Sequence, residues 1–183
     1  MERSIRAKFD TLRSKDAEVR YQAYRDLIEV TKSPVNWAYE VWDELKEMLR
    51  HGDNHQRTIA VQILCNLAKS DPKGRVLKDF DALLAVTRDE RFVTARHSLQ
   101  ALWKVGTVGK KLEKIVLEGY KTRFNDCENE KQCTLIRYDI CVALKNLYDE
   151  VKDEKIRETA LALIETETDL KYRKKYAGVW KKK

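Results

Sequence analysis

One short pattern recurs four times along this chain at nearly constant spacing, and a chain built of such repeats has few ways to fold. Asp16-Ala-Glu-Val-Arg20 leads into Ala23 and Leu27, and Asp53-Asn-His-Gln-Arg57 leads into Ala60 and Leu64. Asp89 precedes Arg96, Leu99 and Leu102, and Cys133-Thr-Leu-Ile-Arg137 leads into Ile140, Cys141 and Leu144. The four arginines stand 37, 39 and 41 residues apart. A period near 40 with one amphipathic helix per occurrence is the sequence form of stacked helical pairs.

Composition agrees. Charged residues make up 37% of the chain, against roughly 25% in an average globular protein, and hydrophobic residues 43%. Helices with narrow apolar stripes and wide solvated faces give that balance. Six glycines and two prolines are too few for a fold of strands and tight turns. The chain is therefore expected to be all-α. Helix-start chemistry divides it: Ser14 or Asp16, Asp53 and Asp153 read as N-caps, and Ser33-Pro34 and Asp71-Pro72 as caps followed by proline in the first turn. Gly52 and Gly106 read as stops. No linker of ten or more Gly, Ser or Pro residues interrupts the pattern, so one domain is expected over residues 1–170, followed by a tail, 171–183.

The run Asp16-x-x-Val19-Arg20-x-x-Ala23-x-x-x-Leu27 resembles the second helix of a HEAT repeat. Asp53 to Leu64 is similar, with Gln56 at a usually aliphatic position; Leu99 replaces an alanine in the third occurrence, and Cys133 the leading aspartate in the fourth. The resemblance implies a right-handed, armadillo-like α-solenoid of about four and a half antiparallel helical pairs. It also implies that Arg20, Arg57, Arg96 and Arg137 form ladders with acids of neighbouring repeats. Four arginines aligned to grip phosphates are the alternative.

In such a solenoid an inner row of helices lines a concave groove. The side opposite each apolar stripe carries Arg25 and Glu29, then Thr58, Gln62, Asn66 and Lys69, then His97, Gln100 and Lys104, then Tyr138, Val142, Lys145 and Asn146. Arg25, Gln62, Asn66, His97, Gln100, Lys104 and Asn146 are the expected contact floor. That floor is polar, mildly basic and rich in amides, which suits a peptide or protein partner; a solvated face without a partner is the plain alternative.

The formal charge of +7 is local. Residues 171–183 hold seven lysines and arginines and no acid, so the first 170 residues carry no net charge. Residues 149–169, with eight acids against three bases, precede that tail. Lys171, Arg173, Lys174 and Lys175 alternate with Tyr172 and Tyr176, and Trp180 precedes Lys181, Lys182 and Lys183. Bases can neutralise phosphates while rings stack on nucleobases, so the tail is the candidate for nucleic acid. Residues 88–123, with nine bases and four acids, are a second basic stretch.

Catalytic chemistry is scarce. His51 and His55 flank a helix boundary, and no phosphate-cradling glycine loop, nucleophile elbow or HExxH is present. DNA alkylation-repair glycosylases share HEAT-like repeats and use aromatics and an aspartate; Trp37, Trp42, Trp103 and Asp139 are the residues here that would serve, though a neutral body lacks the field a duplex binder needs. Bilin lyases carry related repeats, and no residue here separates them. A non-catalytic role without cofactor or metal is expected. The four cysteines show no CxxC pair, and reduced thiols in a soluble cytoplasmic chain are expected. No apolar run approaches the ~18 residues of a membrane span.

Overall fold

The computed structural model describes residues 1–181; the tail lysines Lys182 and Lys183 lie outside the described residues. Among these, every regular element is helical. The helices are α1 (Arg3–Thr11), α2 (Ala17–Val30), α3 (Ala38–His51), α4 (Asn54–Leu67), α5 (Arg75–Ala85), α6 (Phe92–Ala101), α7 (Trp103–Gly106), α8 (Lys110–Asp126), α9 (Cys133–Val151), α10 (Glu154–Glu165) and α11 (Leu170–Val179). The chain divides into two compact units, Met1–Ser98 and Leu99 onward.

In the first unit α1 packs on α2 and α3 on α4, while α2 also meets α4 and α3 meets α5. The pairs α1–α2 and α3–α4 are thus joined through α2 against α4, and α3 reaches on to α5. The caps explain where these helices begin. Asp16 accepts from the backbone N–H groups of Glu18 and Val19, and Asp53 exchanges bonds with Gln56 in a full capping box. Between α3 and α4 the chain turns at Gly52, where a Cβ would lie 2.4 Å from the Met48 carbonyl oxygen and 2.6 Å from Gln56 Cβ. That close approach, rather than backbone conformation, demands glycine there. The apolar stripes close over a core of Phe9, Leu27, Trp42, Leu45, Ile63, Leu64 and Phe80. Truncating a buried ring such as Trp42 typically costs about 3–5 kcal/mol.

Both proline-containing starts differ from expectation. α3 begins at Ala38, four residues past Pro34, because Trp37 at its N-cap position is buried edge-on against Phe9, 5.7 Å between ring centroids. α5 begins at Arg75, after Gly74 in left-handed conformation. Asp71 still serves that helix, accepting from Val76 N–H at 2.7 Å.

In the second unit α7 packs on α8, and α9 contacts α7, α8, α10 and α11. Tyr120, Phe124, Ile140, Leu144, Leu147, Ile156 and Tyr176 form its core. Residues 171–179 of the expected tail belong to helix α11, capped by Asp169 and anchored on α9 by buried Tyr176, whose hydroxyl donates to Thr134 O at 2.9 Å. The expectation of four reduced thiols is corrected at one pair. The turn Cys127–Asn129 folds back so that Cys127 and Cys133, 5.1 Å apart at Cα, are disulfide-bonded. Cys65 and Cys141 are buried thiols in no disulfide bond, and burial pushes the Cys141 thiol up to about 12.

Candidate functional site

Three of the repeated arginines have roles set by the fold. Arg57 on α4 grips Asp89 with Nε at 2.6 Å and a terminal nitrogen at 3.0 Å, and donates to Gly52 O at 2.9 Å. Arg137 on α9 pairs with Glu167 at 2.9 Å, donates to Phe124 O at 3.1 Å and lies over the Phe124 ring. Arg20 donates to Ser14 O at 2.8 Å. Each guanidinium therefore reaches a carbonyl at the end of the preceding helix, and two of them also reach an acid about thirty residues further on. They hold the elbow of a helical pair and tie it onward.

The first unit carries a groove of about 450 Å³ between α2, α4 and α6, lined by Arg20, Tyr21, Tyr24, His55, Thr58, Gln62 and His97 among others. Tyr21 is 54% exposed, and its ring lies 6.1 Å from that of Tyr24. Tyr24 donates to Gln62 Oε1 at 2.8 Å, and burial raises its hydroxyl above the ordinary tyrosine value. Gln62 also donates to Thr58 O, which fixes its amide across the floor. Thr58 is bonded to Thr94, pinning α4 to α6. The lining contains no acid.

The expected contact floor is thus only partly assembled. Gln62 and His97 share the groove, and exposed Arg25 stands beside it with its guanidinium 6.0 Å from the Tyr21 ring. Asn66 is a correction. It is 2% exposed, and its amide donates to Thr31 Oγ1 at 3.0 Å and towards Ile28 O, fastening α4 to the end of α2. Its place on the polar side of α4 is real, but α2 covers it. Gln100, Lys104 and Asn146 lie in the second unit; Gln100 is exposed and donates to buried Asp139 at 3.1 Å. Tyr21, Tyr24 and His55 were not among the expected residues. Their signal was present: Tyr21, Tyr24 and Arg25 share a face of α2, as His55, Thr58 and Gln62 do on α4.

The second unit has an open cleft of about 900 Å³ among α9, the start of α10 and the end of α11. Tyr138, Val142 and Lys145, predicted as one face of this helix, line it together with Tyr148, Arg157 and Trp180. Tyr148 donates to Glu154 at 2.6 Å; that bond raises the phenol and lowers the carboxyl. The basic tail residues divide. Arg173 is held by Glu167 O at 2.7 Å, whereas Lys171, Lys174 and Lys175 are exposed, with Lys175 Nζ over the Tyr138 ring.

Trp37 and Trp42 belong to the first unit's core, and Trp103 is half-buried on α7. Among the described residues no group of three or more His, Cys, Asp or Glu is placed to hold a metal ion, and no helix is long and apolar enough to cross a membrane.

No family model matches the chain, and no curated protein matches it. Its fold is similar to two crystal structures of engineered proteins from the Northeast Structural Genomics Consortium. One superposes with a TM-score of 0.52 at 18% identity over 97% of this chain and 78% of its own. The other gives 0.50 at 18% identity over 97% of this chain, which spans about half (47%) of that longer protein. At such identity the likeness concerns the fold alone.

Proposed function

We propose that this protein is a non-catalytic binding scaffold of the HEAT type, a right-handed solenoid of about four and a half helical pairs, and that it holds a peptide segment of a partner protein in the groove of its first unit. The contacts between every second helix and the elbow arginines support the repeat reading. One observation carries the binding reading: the groove is lined by tyrosine, imidazole, hydroxyl and amide groups and the Arg20 guanidinium, with no acid among them. Neutral donors and acceptors of that kind bond peptide groups, and aromatic rings supply rigid contact area at small entropic cost. The absence of acids, with Arg25 at the rim, favours a segment bearing an acidic side chain.

A panel of short fluorescent peptides, acidic, neutral and basic, each with one aromatic residue, tests this by polarisation titration. Acidic members should bind, and Tyr21→Ala and His97→Ala should each weaken binding about tenfold, the loss of one good contact. Affinity unchanged in both variants, or preference for the basic members, would overturn the reading.

A further inference from the structure

The cleft of the second unit has a chemistry unlike that of the groove. Its charged lining consists of Lys145, Lys152, Arg157 and Lys181 against Asp149 and Glu154, with Lys145 and Lys152 paired to Asp149 and Arg157 to Glu154, and it includes no neutral amide side chain. Its walls are rings. Tyr148 and Trp180 lie 5.8 Å apart between centroids, with Tyr138 further back along α9.

Two of these rings carry a lysine on their faces. Lys175 Nζ stands 4.6 Å from the centre of Tyr138, and Lys152 Nζ 5.4 Å from that of Tyr148. An ammonium on a solvated ring is held weakly, and a nucleobase stacks on such a face more strongly. A base that enters would therefore displace the lysine, which stays tethered beside the ring where the phosphate of that nucleotide needs a cation. The Trp180 indole N–H is buried without an acceptor among the described residues, so packing rather than a hydrogen bond holds the ring beside Tyr148. Beside it, Gly178 leaves open space where a Cβ would project.

We propose that this cleft binds nucleotide units, bases stacked on Tyr138, Tyr148 or Trp180 and phosphates met by Lys152 and Lys175, free or within a single strand. An acidic peptide fits less well, because the helical walls have no unpaired backbone edge and the lining no amide to bond peptide groups. A duplex fits less well, because its bases are already stacked.

The test is a polarisation titration of the full chain with a labelled ten-nucleotide oligothymidylate, competed by thymidine monophosphate, by a duplex of equal length and by a polyglutamate peptide. The single strand should bind with a salt slope of about −1.4, as two cations would give at ~0.7 per phosphate. Trp180→Leu should weaken it about tenfold. Gly178→Leu, which projects a branched side chain into the cleft beside Trp180 while improving helix propensity, should weaken binding at least tenfold with the thermal midpoint held or raised. Competition by the monophosphate assigns a free nucleotide; its failure beside strand binding assigns the polymer. Equal or tighter binding of duplex or polyglutamate, or strand affinity unchanged in both variants, would overturn the proposal.

Discussion

The groove of the first unit and the cleft of the second are both built on helix faces lined with tyrosine, yet they differ in what surrounds the rings. Around Tyr21 and Tyr24 stand Thr58, Gln62, two histidines and Arg20, and no acid. Around Tyr138, Tyr148 and Trp180 stand lysines, an arginine and two carboxylates. Mostly neutral partners offer directional hydrogen bonds with a shallow dependence on salt, whereas a cleft with an excess of cations gives affinity that falls more steeply with ionic strength. Helices of similar build, varied on their polar faces, thus present two kinds of surface. Fold and site are separable here because the elbow arginines and the buried amide of Asn66 are occupied with holding helices together.

That separation can be broken most forcefully at the elbows. Arg57→Met leaves the Asp89 carboxylate, 5% exposed, without its guanidinium, and Gly52 O without a donor. Removing one partner of such a pair typically costs 3–5 kcal/mol when burial is complete; with Arg57 itself 20% exposed, about 2–3 kcal/mol is expected from urea midpoints. Arg137→Met should behave alike, since Glu167 is 6% exposed. Peptide affinity of the folded Arg57→Met protein should be unchanged. A loss of affinity at unchanged stability would show that the arginine contacts ligand.

Asn66 offers the next test. Asn66→Ala removes a buried amide and leaves Thr31 Oγ1 with one fewer partner, an expected loss of about 1–3 kcal/mol with peptide binding intact. The opposite result, stability kept and peptide binding lost, would return Asn66 to the contact floor.

Acid should act on the same scaffold. Burial pulls the Asp89 carboxyl upward, but its bonds to Arg57 outweigh that and hold it below the ordinary aspartate value; Asp79 is depressed likewise by Lys46 and Trp42. A carboxylate whose folded-state value is lowered stabilises fully above its unfolded value, about 4, and loses that contribution as pH falls through the lower one. The urea midpoint should therefore be flat in this respect above about pH 5 and decline below about pH 4. In Asp89→Asn the neutral-pH midpoint should be lower and the acid decline shallower. An unchanged decline would place the acid sensitivity elsewhere.

Much of this scaffold was legible in the sequence, because caps and apolar periodicity are local. Asp16, Asp53 and Asp153 cap as their sequence context indicates. The two proline sites were misread because tertiary packing decides them: Trp37 has to reach Phe9 before α3 can start. Polar faces were legible only as faces. Tyr138, Val142 and Lys145 share one, as their spacing requires, but nothing local says that α11 returns to make it a cleft or that α2 covers Asn66. The Cys127–Cys133 bond escaped because six-residue spacing matches no common motif; only the turn between them brings them together.

The smallest expected effect sharpens the comparison at the cleft itself. Gly178 sits exposed near the end of α11, and a Cβ there would meet nothing within 4 Å. Gly178→Ala should therefore gain the helix-propensity difference of about 0.5–1 kcal/mol, seen as a rise of roughly 1–4 °C in thermal midpoint. A methyl group is too small to fill a cleft of about 900 Å³, so oligothymidylate affinity should stay within about twofold, unlike that of Gly178→Leu. Stability and binding would then move independently at one position. A fall in midpoint with alanine would mean that the last turn of α11 is not helical in solution. The cleft would then lack the wall that carries Trp180, and the contrast with the groove would reduce to the single face of α9.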